Sequence, residues 1–162
     1  MSGLFLFIAQ FSVIAYAIVG GIFIAFSDFI MRSLARTSGT GGVEAMQVIN
    51  REVFRWVFMV LFLGLAPVSL GIALYGVVAV GGTTGTLLAG AGLTYFIGCF
   101  GVTVAFNVPL NERLAKMSLA DASTSIFWQQ TYVPRWTWWN TVRGIACVVS
   151  AALMLMALPE LF

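Results

Sequence analysis

The chain contains no histidine, and it carries only eight basic and six acidic side chains in 162 residues. The missing histidine removes His general bases, haem with a His axial ligand, His-containing zinc sites and the Ser–His–Asp triad together. Cysteine is nearly absent as well. Cys99 and Cys147 are far apart, each inside an apolar run, and no C-x-x-C occurs. This argues against a thioredoxin-like or quinone-linked disulfide exchanger and predicts two buried free thiols. Charged residues make up 9% of the chain, whereas soluble domains sit near about one quarter. So few charges cannot cover a soluble surface, and soluble and disordered classes are set aside. The balance of 8 − 6 = +2, with no basic stripe, excludes a nucleic-acid partner.

What the chain has instead is apolar length. Hydrophobic residues reach 60% and the mean hydropathy is +1.00. Met1 to Ser27 is uncharged, Trp56 to Asn111 is uncharged over 56 residues, and Gly144 to Pro159 adds a third such stretch. A membrane-spanning helix needs about 20 mostly apolar residues. The 56-residue stretch must therefore be broken, and the cluster from Gly81 to Gly85 is its turn signal. The reading is one all-α transmembrane domain over residues 1–162, an integral membrane four-helix bundle with spans near residues 4–26, 56–80, 86–106 and 138–158. Ala15-Tyr16-Ala17 resembles a signal-cleavage site. Without a basic segment before it, and with apolar sequence running past it, the first span is expected to be retained.

Basic residues are sharply biased. Arg32, Arg36, Arg51 and Arg55 lie between the first two spans, and Arg113, Lys116, Arg135 and Arg143 lie around the third connection. The positive-inside rule then places both long connections in the cytoplasm, with both termini and the Gly-rich turn opposite. All five tryptophans (Trp56, Trp128, Trp136, Trp138, Trp139) fall near the cytoplasmic ends and read as an interfacial belt. Short amphipathic helices are expected at this end; the second spanning helix is expected to begin before the membrane, with helical spacing from Glu44 to Trp56, and a further helix from about Leu119 to Gln130 is expected along the cytoplasmic surface. Ser118-Leu119-Ala120-Asp121 resembles a capping box for this surface helix. Pro109 disfavours helix at Val108, so Asn107 either ends the third span or caps a new short helix over about Pro109–Met117; it reads as that cap, as a polar group directed into the bundle, or as both. Pro134 suits the first turn of the last helix. Pro67 kinks the second span, as packing or as a cavity wall. Gly90, Thr94 and Gly98 form a small-residue stripe for close helix packing, internal or oligomeric.

One group of polar residues sits at a common membrane depth: Asp28, Gln47, Asn50, Arg51, Asn107, Asn111, Glu112, Asn140 and Arg143. On the last helix Trp136, Asn140, Arg143 and Cys147 share a face. Such groups must find partners or water, and ionisable residues at span edges are functional candidates. A hydrogen-bond lock with pairs such as Glu112–Arg143 or Asp28–Arg51 is the plain alternative. Four asparagines and a glutamine exceed what a lock needs.

Three segments carry a resemblance: AMQVINREVF (Ala45–Phe54), NVPLNERL (Asn107–Leu114) and WTWWNTVR (Trp136–Arg143). In this order, with four spans, the chain resembles the anthrone oxygenase-like family of small membrane proteins. Members with an assigned role oxidise anthrones to anthraquinones without metal or flavin. The resemblance implies that Gln47, Asn50, Asn107, Asn111, Trp136, Asn140 and Arg143 are shared polar positions, and that no cofactor or metal is needed. An anthrone that loses a proton can reduce oxygen itself, so the protein needs a base, donors for the enolate oxygen and a dry aromatic cavity. Glu112 is the first base candidate and Asp28 the second. Arg143, Asn111 and Asn140 are candidates for holding the oxyanion, and Trp136 for stacking on a flat substrate. Three other readings stand beside this one. The chain is a non-enzymatic membrane subunit or assembly factor that docks through its glycine-lined face. It is a carrier of a small hydrophobic or aromatic molecule. Or it holds a carboxylate-only metal site at Asp28 and Glu112, which lacks the usual nitrogen and sulfur ligands. Lipid is the expected surroundings in every case, with a protein partner or a second copy as a further expectation.

Overall fold

The computed structural model describes residues 3–55 and 57–161. Helices α1 (Gly3–Ala35), α3 (Val57–Val80), α4 (Gly82–Ala115) and α5 (Ala122–Leu161) are long and apolar enough to cross a membrane, and α2 (Gly41–Glu52) is a short amphipathic helix. No strand occurs among the described residues. The chain is a multi-pass integral membrane protein built as an all-α four-helix bundle. Helical rise is about 1.5 Å per residue and the hydrocarbon core is about 30 Å thick. The 33 residues of α1 and 40 of α5 therefore overrun the bilayer and build the basic, polar end.

The bundle exposes many large apolar residues and packs an apolar core of mixed size, including Phe5, Tyr16 and Phe23 of α1. On α1 the large residues Leu4, Phe7, Phe11, Ile14 and Ile18 are exposed, while Ala9, Ser12, Ala15, Tyr16, Val19 and Gly20 are buried. The small residues among them let backbones approach closely. A Cβ on Gly20 would lie 2.8 Å from Cys147 Cβ at the α1–α5 seam. A Cβ on Gly92 would strike the Ser69 carbonyl at the α3–α4 seam, and one on Gly76 would meet the Gly85 carbonyl at 2.7 Å. Gly98 faces Ala146 Cβ at 2.9 Å and Gly90 faces Leu153 at 3.3 Å. The small-residue stripe of α4 is thus an internal seam against α5. The α3–α4 connection is tighter than the turn cluster suggested, since α4 already begins at Gly82. Gly81 and Gly82 take the left-handed φ values of 69° and 59° that this reversal requires.

Two expected helix breaks are absent. α4 runs through Pro109 and α5 through Pro134, each just after a wide helical turn, Thr103–Asn107 and Trp128–Tyr132. In these turns the Val108 N–H donates to Thr103 O and the Val133 N–H to Trp128 O, five residues back. A proline has no N–H and clashes with the carbonyl four residues back. The wider register just before it absorbs both problems. The expected surface helix is therefore the first part of α5, starting at Ala122 rather than Leu119. The expected capping box does not form: the N-cap is Asp121, without a side-chain capping bond, and Ser118 fastens the loop before it, its Oγ accepting from the Ala120 N–H at 3.3 Å and its carbonyl from Thr124 Oγ1 at 2.6 Å. Pro67 lies within α3 on its exposed face.

A second apolar core organises the polar end. Met31, Val43, Met46, Leu114, Phe127, Trp128, Tyr132 and Trp136 form it, apart from the intramembrane core. Gly42 packs on the Leu34 carbonyl, which seats α2 on the end of α1. Trp128 and Trp136 are buried here with Tyr132, stacked at 5.2 and 6.3 Å centroid distances, rather than lying in an interfacial belt. Trp138 is exposed and Trp139 stacks on Phe106 at 3.8 Å. The second spanning helix does not reach back to Glu44: α2 ends at Glu52, residues 53–55 are turn, and α3 begins at Val57, while Trp56, the expected start of the second span, lies outside the described residues.

Candidate functional site

Between α3 and α4 the glycine contacts lie toward the Gly81 turn. At the other end the two helices are held apart, with α2 across the gap. This leaves a cavity of about 740 Å³ to which all five helices contribute, for example Phe23, Asn50, Phe58, Asn111 and Arg143. Its deeper wall is aromatic, with Phe23 edge-on to Phe58 and Phe62 at 5.7 and 6.2 Å, and Phe62 at 5.9 Å from Phe100. Its upper wall carries Gln47, Asn50, Arg51, Asn111 and Glu112. Ile22, Leu63 and Val104 line it while being 36%, 48% and 54% exposed, so the cavity is open at the side of the bundle. A shallower outer groove of about 430 Å³ between α1 and α5 is lined by none of the predicted site residues.

Arg143 is the central group. It is buried, at 5% exposure, and lines the cavity. Its Nη1 donates to Thr103 Oγ1 at 3.2 Å and its Nη2 to Asn140 Oδ1 at 2.6 Å. The guanidinium lies 4.1 Å over the Phe23 ring and 5.4 Å from the Trp136 ring centre. Its Nε has no hydrogen-bond partner among the described residues. Asn140, fully buried, orients it: the amide Nδ2 donates to Phe23 O at 2.6 Å and Ser27 Oγ at 2.7 Å, fixing α5 to α1. The expected partners of Arg143 and Arg51 are not there. Among the described residues the one ion pair is Glu52–Arg55 on the surface at 2.9 Å.

The other predicted residues divide between lining and fastening. Asn111 Oδ1 accepts from Tyr132 OH and Trp136 Nε1, both at 2.8 Å, and the Asn50 amide donates to Tyr132 OH at 3.4 Å. Gln47 lines the cavity, but its Nε2 donates to Leu114 O at 2.8 Å and Met117 O at 3.0 Å, satisfying carbonyls at the end of α4. Glu112 and Arg51 line the cavity from exposed positions at its rim. Two predicted residues do not line it. Asn107 is fully buried behind it, its Nδ2 donating to Trp136 O at 3.2 Å and its Oδ1 unpartnered among the described residues. It makes no capping bond. Asp28 is exposed on α1. Among the described residues no three His, Cys, Asp or Glu side chains cluster as a metal-binding group. The residues that sequence reasoning missed are Tyr132, Thr103 and the Phe23–Phe58–Phe62–Phe100 wall. The one signal for Tyr132 was the four-residue spacing of Trp128, Tyr132, Trp136 and Asn140, hidden by the assumed break at Pro134.

A family model described as anthrone oxygenase matches residues 51–153, more than half of the chain. The chain belongs to the anthrone oxygenase family. No curated protein and no solved structure matches it. The stretch assigned to the anthrone oxygenase family includes Asn107, Asn111, Glu112, Trp136, Asn140 and Arg143. Asp28, Gln47 and Asn50 lie before it, so of the Ala45–Phe54 segment only residues 51–54 fall inside the family match.

Proposed function

We propose that this protein is a cofactor-independent oxygenase that oxidises a small, flat aromatic ketone with an acidic CH2 group, of the anthrone type, within the cavity. The reading rests above all on one observation: an apolar cavity of about 740 Å³ with an aromatic deeper wall contains a buried guanidinium, in a member of this family. Glu112 at the rim removes a proton from the CH2 carbon. Arg143 and the Asn111 amide meet the enolate oxygen that forms, as preorganised donors do for developing charge. Trp136, held by its bond to Asn111, stacks on the substrate. The carbanion passes an electron to O2 and the radical pair joins as a hydroperoxide at that carbon. Loss of the second C–H proton and cleavage of the O–O bond then give the new carbonyl and water. In balance, CH2 plus O2 becomes C=O plus H2O. The substrate supplies all four electrons and one oxygen atom stays in the product. An apolar substrate reaches the cavity from the bilayer through the lateral opening, and the basic end faces the cytoplasm.

Oxygen uptake with anthrone, measured in lipid nanodiscs under ¹⁸O2, tests this. The expected result is one O2 consumed per anthrone and one ¹⁸O in the quinone, at a rate above empty discs. Uptake equal to that of empty discs refutes the activity. Binding without turnover in the same preparation would instead indicate a carrier.

A further inference from the structure

We propose that the cavity holds a flat aromatic monoanion more tightly than the matching neutral molecule, with the anionic oxygen at Arg143. This rests on the reading that the cavity is the ligand site, and adds the charge state that the site prefers. A buried charge is normally compensated by an opposite charge or a full set of hydrogen bonds. Arg143 has neither. No carboxylate of the described residues lies within 4.0 Å of it, its two hydrogen-bond acceptors, Thr103 and Asn140, are neutral, and its Nε is unpartnered. The Phe23 ring at 4.1 Å covers one side but accepts no directed bond.

The remaining charges at the cavity are Arg51 and Glu112, one of each sign, both exposed at the rim. They leave the interior with the single uncompensated charge of Arg143, which fits a ligand carrying one negative charge. The body of that ligand is read from the wall. Phe23, Phe58, Phe62 and Phe100 present faces and edges suited to flat rings. Carboxylate, phenolate and enolate oxygens share the chemistry that Arg143 recognises. A fatty acid carries the same head on a flexible chain and is the contrasting case.

The test is equilibrium binding without oxygen, read by quenching of tryptophan fluorescence, in zwitterionic nanodiscs with empty-disc controls for partitioning. The probes are anthracene-2-carboxylate, its methyl ester and oleate. The acid is expected to bind at least tenfold more tightly than the ester, a difference of about 1.4 kcal/mol. Arg143→Gln is expected to bring the acid-to-ester ratio close to one, and Arg143→Lys to keep part of it. Equal binding of acid and ester to the native protein overturns the proposal without any variant. So does a preference that survives in a folded Arg143→Gln protein. Oleate binding as well as the anthracene acid overturns the aromatic part. Oxygen uptake is measured separately, so the two readings fail independently. Acid preference without turnover upholds this inference and removes the oxygenase, whereas turnover without acid preference does the reverse.

Discussion

Replacing Asn140 by alanine removes three hydrogen bonds at once and separates the roles this residue plays. Two of them, to Phe23 O at 2.6 Å and Ser27 Oγ at 2.7 Å, join α5 to α1. Interhelical hydrogen bonds in membrane proteins contribute about 0.6 kcal/mol on average and up to about 1.7, so their loss costs about 1–3 kcal/mol. The third, from Arg143 Nη2 at 2.6 Å, leaves a buried charged donor without its acceptor, a further cost of about 1–3 kcal/mol. The total, about 2–6 kcal/mol, lies below most of the whole-protein stability range of about 5–15 kcal/mol. Asn140→Ala is therefore expected to fold, to unfold at clearly lower denaturant, and to lose turnover because the guanidinium is no longer aimed. Asn140→Asp keeps an acceptor for Arg143 but loses the amide donors, and places a carboxylate against the guanidinium. It is expected to retain more stability than alanine while still failing in turnover, because the site's positive charge is neutralised. Tryptophan fluorescence during SDS unfolding measures the first quantity, and quinone formation by the folded fraction measures the second. An Asn140→Ala protein within about 0.5 kcal/mol of the native stability, the range of a surface substitution, would refute the geometry on which this reasoning stands.

Gly92→Ala drives a methyl group against the Ser69 carbonyl and to 2.9 Å from Ala73 Cβ. It should destabilise by about 1–3 kcal/mol, whereas Gly64→Ala, with nothing within 4 Å, should be neutral or slightly stabilising. Equal effects of the two in thermal unfolding would contradict the α3–α4 seam. Cys99 and Cys147 Sγ lie 3.4 Å apart, so copper phenanthroline should join them within one chain, detected by peptide mapping. Thiols that remain free after oxidation in detergent would contradict the α4–α5 register. An exposed Thr83→Cys at the tight turn should react with an impermeant maleimide on intact cells, and Ser118→Cys only after permeabilisation. The opposite pattern would reverse the orientation.

Much of the architecture was legible because charge is excluded from lipid: the uncharged runs and the Gly81 turn mark where α3 and α4 lie. The face of α5 that holds Trp136, Asn140, Arg143 and Cys147 was also legible, since spacing by four, three and four residues keeps side chains on one helical face, and all four are buried. Pro109 and Pro134 misled because a local rule forbids helix there, while the wide turns that admit it are an adjustment of the preceding residues. The missing partner of Arg143 could not be read either. Glu112 is 31 residues away in sequence and at the same depth, and only the side-chain directions of α4 and α5 put it at the rim instead. The Phe23–Phe100 wall was illegible for a general reason. On a helix that is apolar all round, residues facing a cavity, a neighbouring helix or lipid carry the same sequence signal.

The central claim is that the ligand site is the cavity lined by all five helices and not the outer groove of α1 and α5. Photolabelling with an anthracene aryl azide in nanodiscs, followed by peptide mapping, decides this directly. The account predicts adducts on Phe58, Phe62, Phe100 or Trp136, suppressed by excess anthrone. Adducts concentrated on Met31, Val133 or Trp138, or labelling that anthrone does not suppress, would contradict it.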